Sequence, residues 1–173
     1  MKSLLLGGIR SGKSRLAETL AADSGLEVCY IATAEARDDE MRARIDTHQA
    51  RRPSGWRNVE EPLALARVIR EQARPGSCLL VDCLSLWLTN LLMTEDRCRL
   101  DDEIEALLTI LPDCPGEIIF VSTESNLGVV PMGELSRRYC DQIGVLHQDI
   151  ARLCDRVTLV VAGLPHYLKG APD

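Results

Sequence analysis

Three groups of residues in this chain could do chemistry. The first is Gly7-Gly8-Ile9-Arg10-Ser11-Gly12-Lys13-Ser14, which has the spacing G-x-x-x-x-G-K-S. It follows the short apolar run Met1 to Leu6 and precedes a helical pattern at Leu16, Ala17, Leu20 and Ala21. That is the setting of a phosphate-binding loop. Glycines let the backbone curl until several N–H groups point at a polyphosphate, and the next helix adds its positive end. Lys13 is expected on the β/γ-phosphates and Ser14 on Mg²⁺. The second group is Asp82, at the end of the apolar run Cys78 to Val81. A carboxylate there holds Mg²⁺ or orients a nucleophile in phosphate-loop proteins. The alternative is a helix N-cap.

The third group is His48, set among Arg42, Arg44, Arg51, Arg52 and Arg57. Arg44, His48 and Arg52 recur every four residues, one stripe of a helix. Surrounding guanidiniums favour a neutral imidazole, the form a nucleophile needs. The arginines could bind a triphosphate and offset charge on the phosphorus under attack. From spacing alone the plainer reading is a solvated charged helix with a lone surface histidine. His147 lies in a long helical stretch beside Gln148, and His166 follows Gly163-Leu164-Pro165. Nothing in the spacing singles out either one.

Elements that position these groups can be read along the chain. Apolar strands are expected at 1–6, 28–32, 77–83, 117–123 and 157–162, with a shorter one at 56–59. Helices are expected at 13–23, 35–51, 60–74, 84–93, 101–111 and 134–154, with a loop at 126–133. Met41, Ile45 and His48 share a face of the second helix at 3.6-residue spacing. Strands that are apolar throughout and alternate with helices imply an α/β fold, a mainly parallel sheet with helices on both faces. The class is a single-domain P-loop NTPase fold over residues 1–173, the length of one domain.

Composition narrows the function. Hydrophobic residues make up 46% and charged residues 27%, as in a soluble globular protein. A net charge of −6 argues against nucleic acid as the main partner, since binding a phosphate backbone needs a basic surface. Cys29, Cys78, Cys83, Cys98, Cys114, Cys140 and Cys154 include no C-x-x-C pair. Reduced thiols in a cytoplasmic protein are expected, with Cys29, Cys78 and Cys83 as core residues. No apolar run spans a bilayer and no signal-peptide layout is present.

Beyond these patterns, Gly7-Gly8-Ile9-Arg10-Ser11-Gly12-Lys13-Ser14-Arg15 resembles the G-G-x-R-S-G-K-S-R loop of the bifunctional adenosylcobinamide kinase / adenosylcobinamide-phosphate guanylyltransferase family. The likeness continues, in order, through Tyr30 to Ala34, Asp39 to Ile45, His48, Arg52-Pro53, Trp56 and Glu60. It returns in Leu79 to Leu84, Thr89 to Leu92, Gly128 to Pro131 and Val160 to Gly163.

The resemblance implies a phosphoryl transfer from a nucleoside triphosphate (ATP or GTP) to a corrinoid hydroxyl. Transfer of GMP from GTP to the new phosphate then follows, through a guanylylated histidine that matches His48. It implies nucleotide contacts at Gly7, Gly8, Ile9, Arg10, Ser11, Gly12, Lys13 and Ser14. Further contacts are implied at Ala32, Thr33, Ala34, Gln49, Ala50, Arg51, Arg52, Glu60 and Asp82. Glu60 is a candidate for the guanine edge, since a carboxylate can accept from N1–H and N2–H₂. A homotrimer is implied as well.

The chain departs from the family pattern in four places. It has Val121-Ser122-Thr123-Glu124-Ser125-Asn126 for V-T-N-E-V-G, Cys140-Asp141 for Arg-Asp, His147-Gln148 for Asn-Gln, and Thr47-His48 for paired histidines. The GTP elements are untouched, and the changes bear on the corrinoid side. Two other readings stay open on the residues alone. One is a single-activity small-molecule kinase with no covalent intermediate. The other is a nucleotide switch, against which stands the short length given to loops.

Overall fold

Apolar side chains alternate along each central strand and divide into two layers, as a period of two requires. Leu4 and Leu6, Cys29 and Ile31, Leu79 and Val81, and Ile118 and Phe120 join one buried cluster. Leu5, Val28 and Tyr30, Cys78 and Leu80, and Ile119 and Val121 join the other. Both faces of the strands are therefore apolar, so both faces need a cover.

The structure, a computed structural model, describes residues 1–35, 39, 42–43, 53–96 and 98–171. In chain order the elements are β1 (Lys2–Gly7), α1 (Lys13–Asp23), β2 (Glu27–Ala32), β3 (Arg57–Glu60), α2 (Leu65–Gln72) and β4 (Ser77–Asp82). There follow α3 (Leu84–Leu92), α4 (Arg99–Ile110), a 3₁₀ turn (Leu111–Asp113), β5 (Glu117–Thr123), α5 (Glu134–Leu153), β6 (Arg156–Val161) and β7 (Leu164–Lys169).

The described strands form one sheet in the order β3-β2-β4-β5-β1-β6-β7. All neighbours are parallel except β6 and β7. Ala17 and Ala21 of α1 pack on one face. Residues of α2, α3, α4 and α5 pack on the other, among them Ile69, Trp87, Leu107 and Ile150. Each large side chain buried this way contributes about 1.5–3 kcal/mol.

Topology fixes where a ligand can sit. The chain leaves β1 through α1 on one face and later returns from β5 to β6 through α5 on the other. β1 lies between β5 and β6. The connections thus part company at the carboxyl end of β1, where open α/β sheets hold their ligands.

The strand and helix expectations hold at most positions, with three corrections. The helix expected from Glu60 begins at Leu65, because the Glu61 carboxylate turns back to accept the N–H groups of Leu63 at 3.0 Å and Ala64 at 2.9 Å. The helix expected from Asp101 begins at Arg99 and ends in the 3₁₀ turn. The strand at 156–161 is followed by β7, which the sequence reading left out because its residues are exposed and carry no apolar run. The helix expected at 35–51 falls mostly outside the described residues; Asp39, Arg42 and Ala43 are helical there. Cys29, Cys78 and Cys83 are buried, as expected. No helix among the described residues is long and apolar enough to cross a membrane.

The fully buried Trp87 ties α3 to the segment before α2, its Nε1–H donating to the Leu63 carbonyl at 2.7 Å. Trp87→Phe keeps most of the apolar burial but orphans that carbonyl. It should cost about 1–3 kcal/mol. Urea unfolding would show this as a lower midpoint at unchanged slope.

Candidate active site

The loop after β1 is built by close backbone approach. A Cβ at Gly7 would stand 2.5 Å from Ser11 Oγ and 2.6 Å from the Val160 carbonyl oxygen, which no side chain tolerates. Gly12 has φ +99°, and a Cβ there would press on Gly163 Cα at 3.2 Å. The curl is held by Ser11 N–H to the Gly8 carbonyl at 3.2 Å. The Gly163 N–H also donates to the Ser11 carbonyl at 2.8 Å. Gly163 and Ala162, both at positive φ, form the two-residue turn between β6 and β7. The missed hairpin therefore buttresses the loop.

Lys13 opens α1, is buried, and donates from Nζ to the Gly8 carbonyl at 3.1 Å. Its ammonium is folded back over the loop it must serve. Ser14 follows it in the first turn of α1. The Ser11 hydroxyl is buried with no hydrogen-bond partner. A cradle of glycines, a folded lysine and an orphaned hydroxyl suits an oxyanion such as a phosphate.

The other predicted contacts line the same carboxyl edge. Ala32 pairs in register with Glu60 on one side and Asp82 on the other. Asp82 Oδ2 accepts from the Tyr30 hydroxyl at 2.8 Å. Thr33, fully buried, clamps the residue after Asp82: its Oγ1 accepts the Cys83 N–H at 2.9 Å and donates to the Cys83 carbonyl at 2.7 Å. The Thr33 carbonyl in turn accepts from Asn90 Nδ2 at 2.7 Å. Ala34 comes next and is half-buried. Burial, with the Asp82 charge adding, pushes the Cys83 thiol up to about 11, so it is no nucleophile at neutral pH.

Glu60 stands four strands from Gly7, about 19 Å at ordinary strand spacing. The two cannot touch the same phosphate. His48, Gln49, Ala50, Arg51 and Arg52 lie outside the described residues.

Sequence reasoning missed one part of this edge. Glu124 follows β5 directly, and its N–H donates to the Gly7 carbonyl at 3.0 Å. Its Oε1 accepts the Asn126 N–H at 2.7 Å, and its Oε2 lies 3.6 Å from His147 Nδ1. His147 is buried, and its Nε2 meets the fully buried Ser122 Oγ at 2.7 Å. Burial lowers the His147 pKa below the usual value, the nearby Glu124 carboxylate opposing it less strongly. A neutral ring facing a carboxylate carries its proton on Nδ1, so Nε2 accepts from the Ser122 hydroxyl. Asn126 is fastened to α5 through the Cys140 carbonyl. Ser122, Asn126, Cys140 and His147, where the chain departs from the family pattern, thus come together around Glu124, which it keeps. The only hint in sequence was a histidine in a helix whose core-facing positions had not been worked out.

Comparison with known proteins decides the family. Residues 3–168 match the model described as cobinamide kinase / cobinamide phosphate guanyltransferase. The chain belongs to this family. It is 65% identical to the bifunctional adenosylcobalamin biosynthesis protein CobP of Pseudomonas aeruginosa, over 99% of each chain. It is 37% identical to the CobU protein of Escherichia coli, over 98% of this chain and all of that one. Solved structures give the fold. The RadB recombinase has a TM-score of 0.51 at 16% identity, covering 91% of this chain and 73% of its own. A type III secretion system ATPase has 0.55 at 12% identity, covering 91% and 51%. The P-loop NTPase fold expected from the sequence is the fold of this cobinamide kinase family member.

Two outcomes follow from this geometry. Thr33→Val orphans the Cys83 N–H, while the Cys83 carbonyl keeps the Trp87 N–H at 3.1 Å, and should cost about 1–3 kcal/mol. Urea unfolding measures it. His147, with its folded pKa lowered, contributes stability that is present above its unfolded pKa of about 6.5 and lost as pH falls below it. The unfolding free energy should drop more steeply between pH 7.5 and about pH 5.5 in the natural protein than in His147→Asn.

Proposed function

We propose that this protein phosphorylates adenosylcobinamide with a nucleoside triphosphate and then transfers GMP from GTP to the product through a guanylyl-His48 intermediate. The observation that carries the reading is the cradle of Gly7, Gly12 and buried Lys13 in a chain that matches the family over 3–168. Lys13 and the loop amides bind the β- and γ-phosphates. Ala32, Thr33, Ala34 and Glu60 take the nucleoside end, consistent with the distance of Glu60 from the loop. The Ser14 hydroxyl and the Asp82 carboxylate are oxygen donors of the kind Mg²⁺ accepts together with water. When bound, the ion would neutralise triphosphate charge.

In the first step the acceptor hydroxyl attacks the γ-phosphorus in line and the nucleoside diphosphate leaves. Positioning and charge neutralisation do most of the work there. In the second, a ring nitrogen of neutral His48 attacks the α-phosphorus of GTP and pyrophosphate leaves. The phosphate of the acceptor then displaces the histidine, which divides one hard step into two easier ones. Arg51 and Arg52, with Gln49 and Ala50, flank the nucleophile. The acceptor is a corrinoid, and a homotrimer is the assembly we expect.

Intact-protein mass spectrometry after incubation with Mg²⁺-GTP tests this. A gain of one GMP is expected, absent in His48→Ala. Lys13→Ala should lower GMP loading by about 100-fold or more. A GTP-binding protein with no adduct would remove His48 from the mechanism and leave a kinase without a covalent intermediate.

A further inference from the structure

We propose that Glu124 is the base that takes the proton of the acceptor hydroxyl during phosphoryl transfer, and that His147, backed by Ser122, is the positioning residue that holds it. This rests on the reading above that the chain has a kinase step.

Position comes first. Glu124 is the first residue beyond β5, the strand beside β1, and its own N–H is bonded to Gly7 at the mouth of the loop. Asp82 sits one strand farther out and already accepts from Tyr30. The Glu124 side chain is 15% exposed, so an acceptor can reach it while most of it is shielded from water. Two contacts restrict it, the Asn126 N–H at Oε1 and the His147 ring edge at Oε2.

Charge comes second. A cation beside a carboxylate stabilises its ionised form and weakens it as a base. His147 avoids that. Its ring is buried and neutral, and the Ser122 hydroxyl sets its tautomer, so a polar N–H faces Glu124 without a full positive charge. This is the logic by which an orienting group fixes a base elsewhere in enzymes.

The step balances. The acceptor oxygen forms a bond to the γ-phosphorus while the bond to the β–γ bridging oxygen breaks. The nucleoside diphosphate leaves with that electron pair. The hydroxyl proton passes to a Glu124 carboxylate oxygen and is later released to water.

The experiment uses the full chain with Mg²⁺-ATP or Mg²⁺-GTP and adenosylcobinamide, following acceptor phosphorylation and, separately, GMP loading of the protein. Glu124→Gln should lower kcat for phosphorylation by about 100-fold or more, with KM for both substrates within about threefold. Phosphorylation should fall at least tenfold further than GMP loading. Glu124→Asp should recover about a tenth of the natural rate, and it tests the proposal if the glutamine variant does not fold. His147→Leu should lower kcat about tenfold at unchanged KM. His147→Asn, which still offers an N–H, should restore most of it. A kcat for Glu124→Gln within threefold of the natural protein, or an equal fall in both activities, overturns the role of Glu124. Equal rates for the Leu and Asn variants overturn the role of His147. If the natural protein phosphorylates no acceptor, the kinase reading itself falls, a result separate from any variant.

Discussion

Everything at this edge depends on the absence of one carbon atom. At Gly7 a Cβ would collide with the Val160 carbonyl and the Ser11 hydroxyl. Because none is present, β1 can end tight against β6 while the chain curls back over itself. Gly12 then takes a left-handed conformation, and α1 starts with Lys13 folded over the loop. An ordinary residue at either place would open the cradle or push it off the sheet. Strain is carried inside the loop by Arg10 at φ +56° and next door by Ala162 at φ +51°, in the turn that hydrogen-bonds the loop. A non-glycine residue there costs about 1–3 kcal/mol.

The sheet turns that local curl into a site. Parallel strands all present their carboxyl ends to one edge, and the in-register row of Glu60, Ala32 and Asp82 is the direct result. Thr33 and Asn90 then lock that row with buried hydrogen bonds rather than with charge. The rigidity comes from the two apolar layers, which alternate strictly along the central strands and leave little room for slippage in register. Precision at the edge is therefore inherited from packing some distance away.

Charge is handled differently at the two carboxylates. Asp82 is met by a phenol hydroxyl, and Glu124 by a neutral imidazole and a backbone N–H. At the loop the Lys13 ammonium rests on a backbone carbonyl. Such a site keeps its acids and its lysine from neutralising one another before a phosphate arrives. That favours a reaction in which new charge is met by groups already in place.

The sequence by itself determined the loop, the class of fold and the family. Glycine spacing, apolar strand runs and helical periodicity are local properties, written in residues a few positions apart. Lys13, Ser14 and Asp82 could be named on those grounds, and the resemblance pointed to Thr33, Glu60 and His48. Tertiary structure alone decided the strand order, the exposed strand β7 and its support of the loop. It also decided that His147 is buried against Ser122 and Glu124. His147 meets Ser122, 25 positions away, through a hydrogen bond and burial. No periodicity within one segment encodes such a meeting, because it exists only after α5 has packed across the sheet.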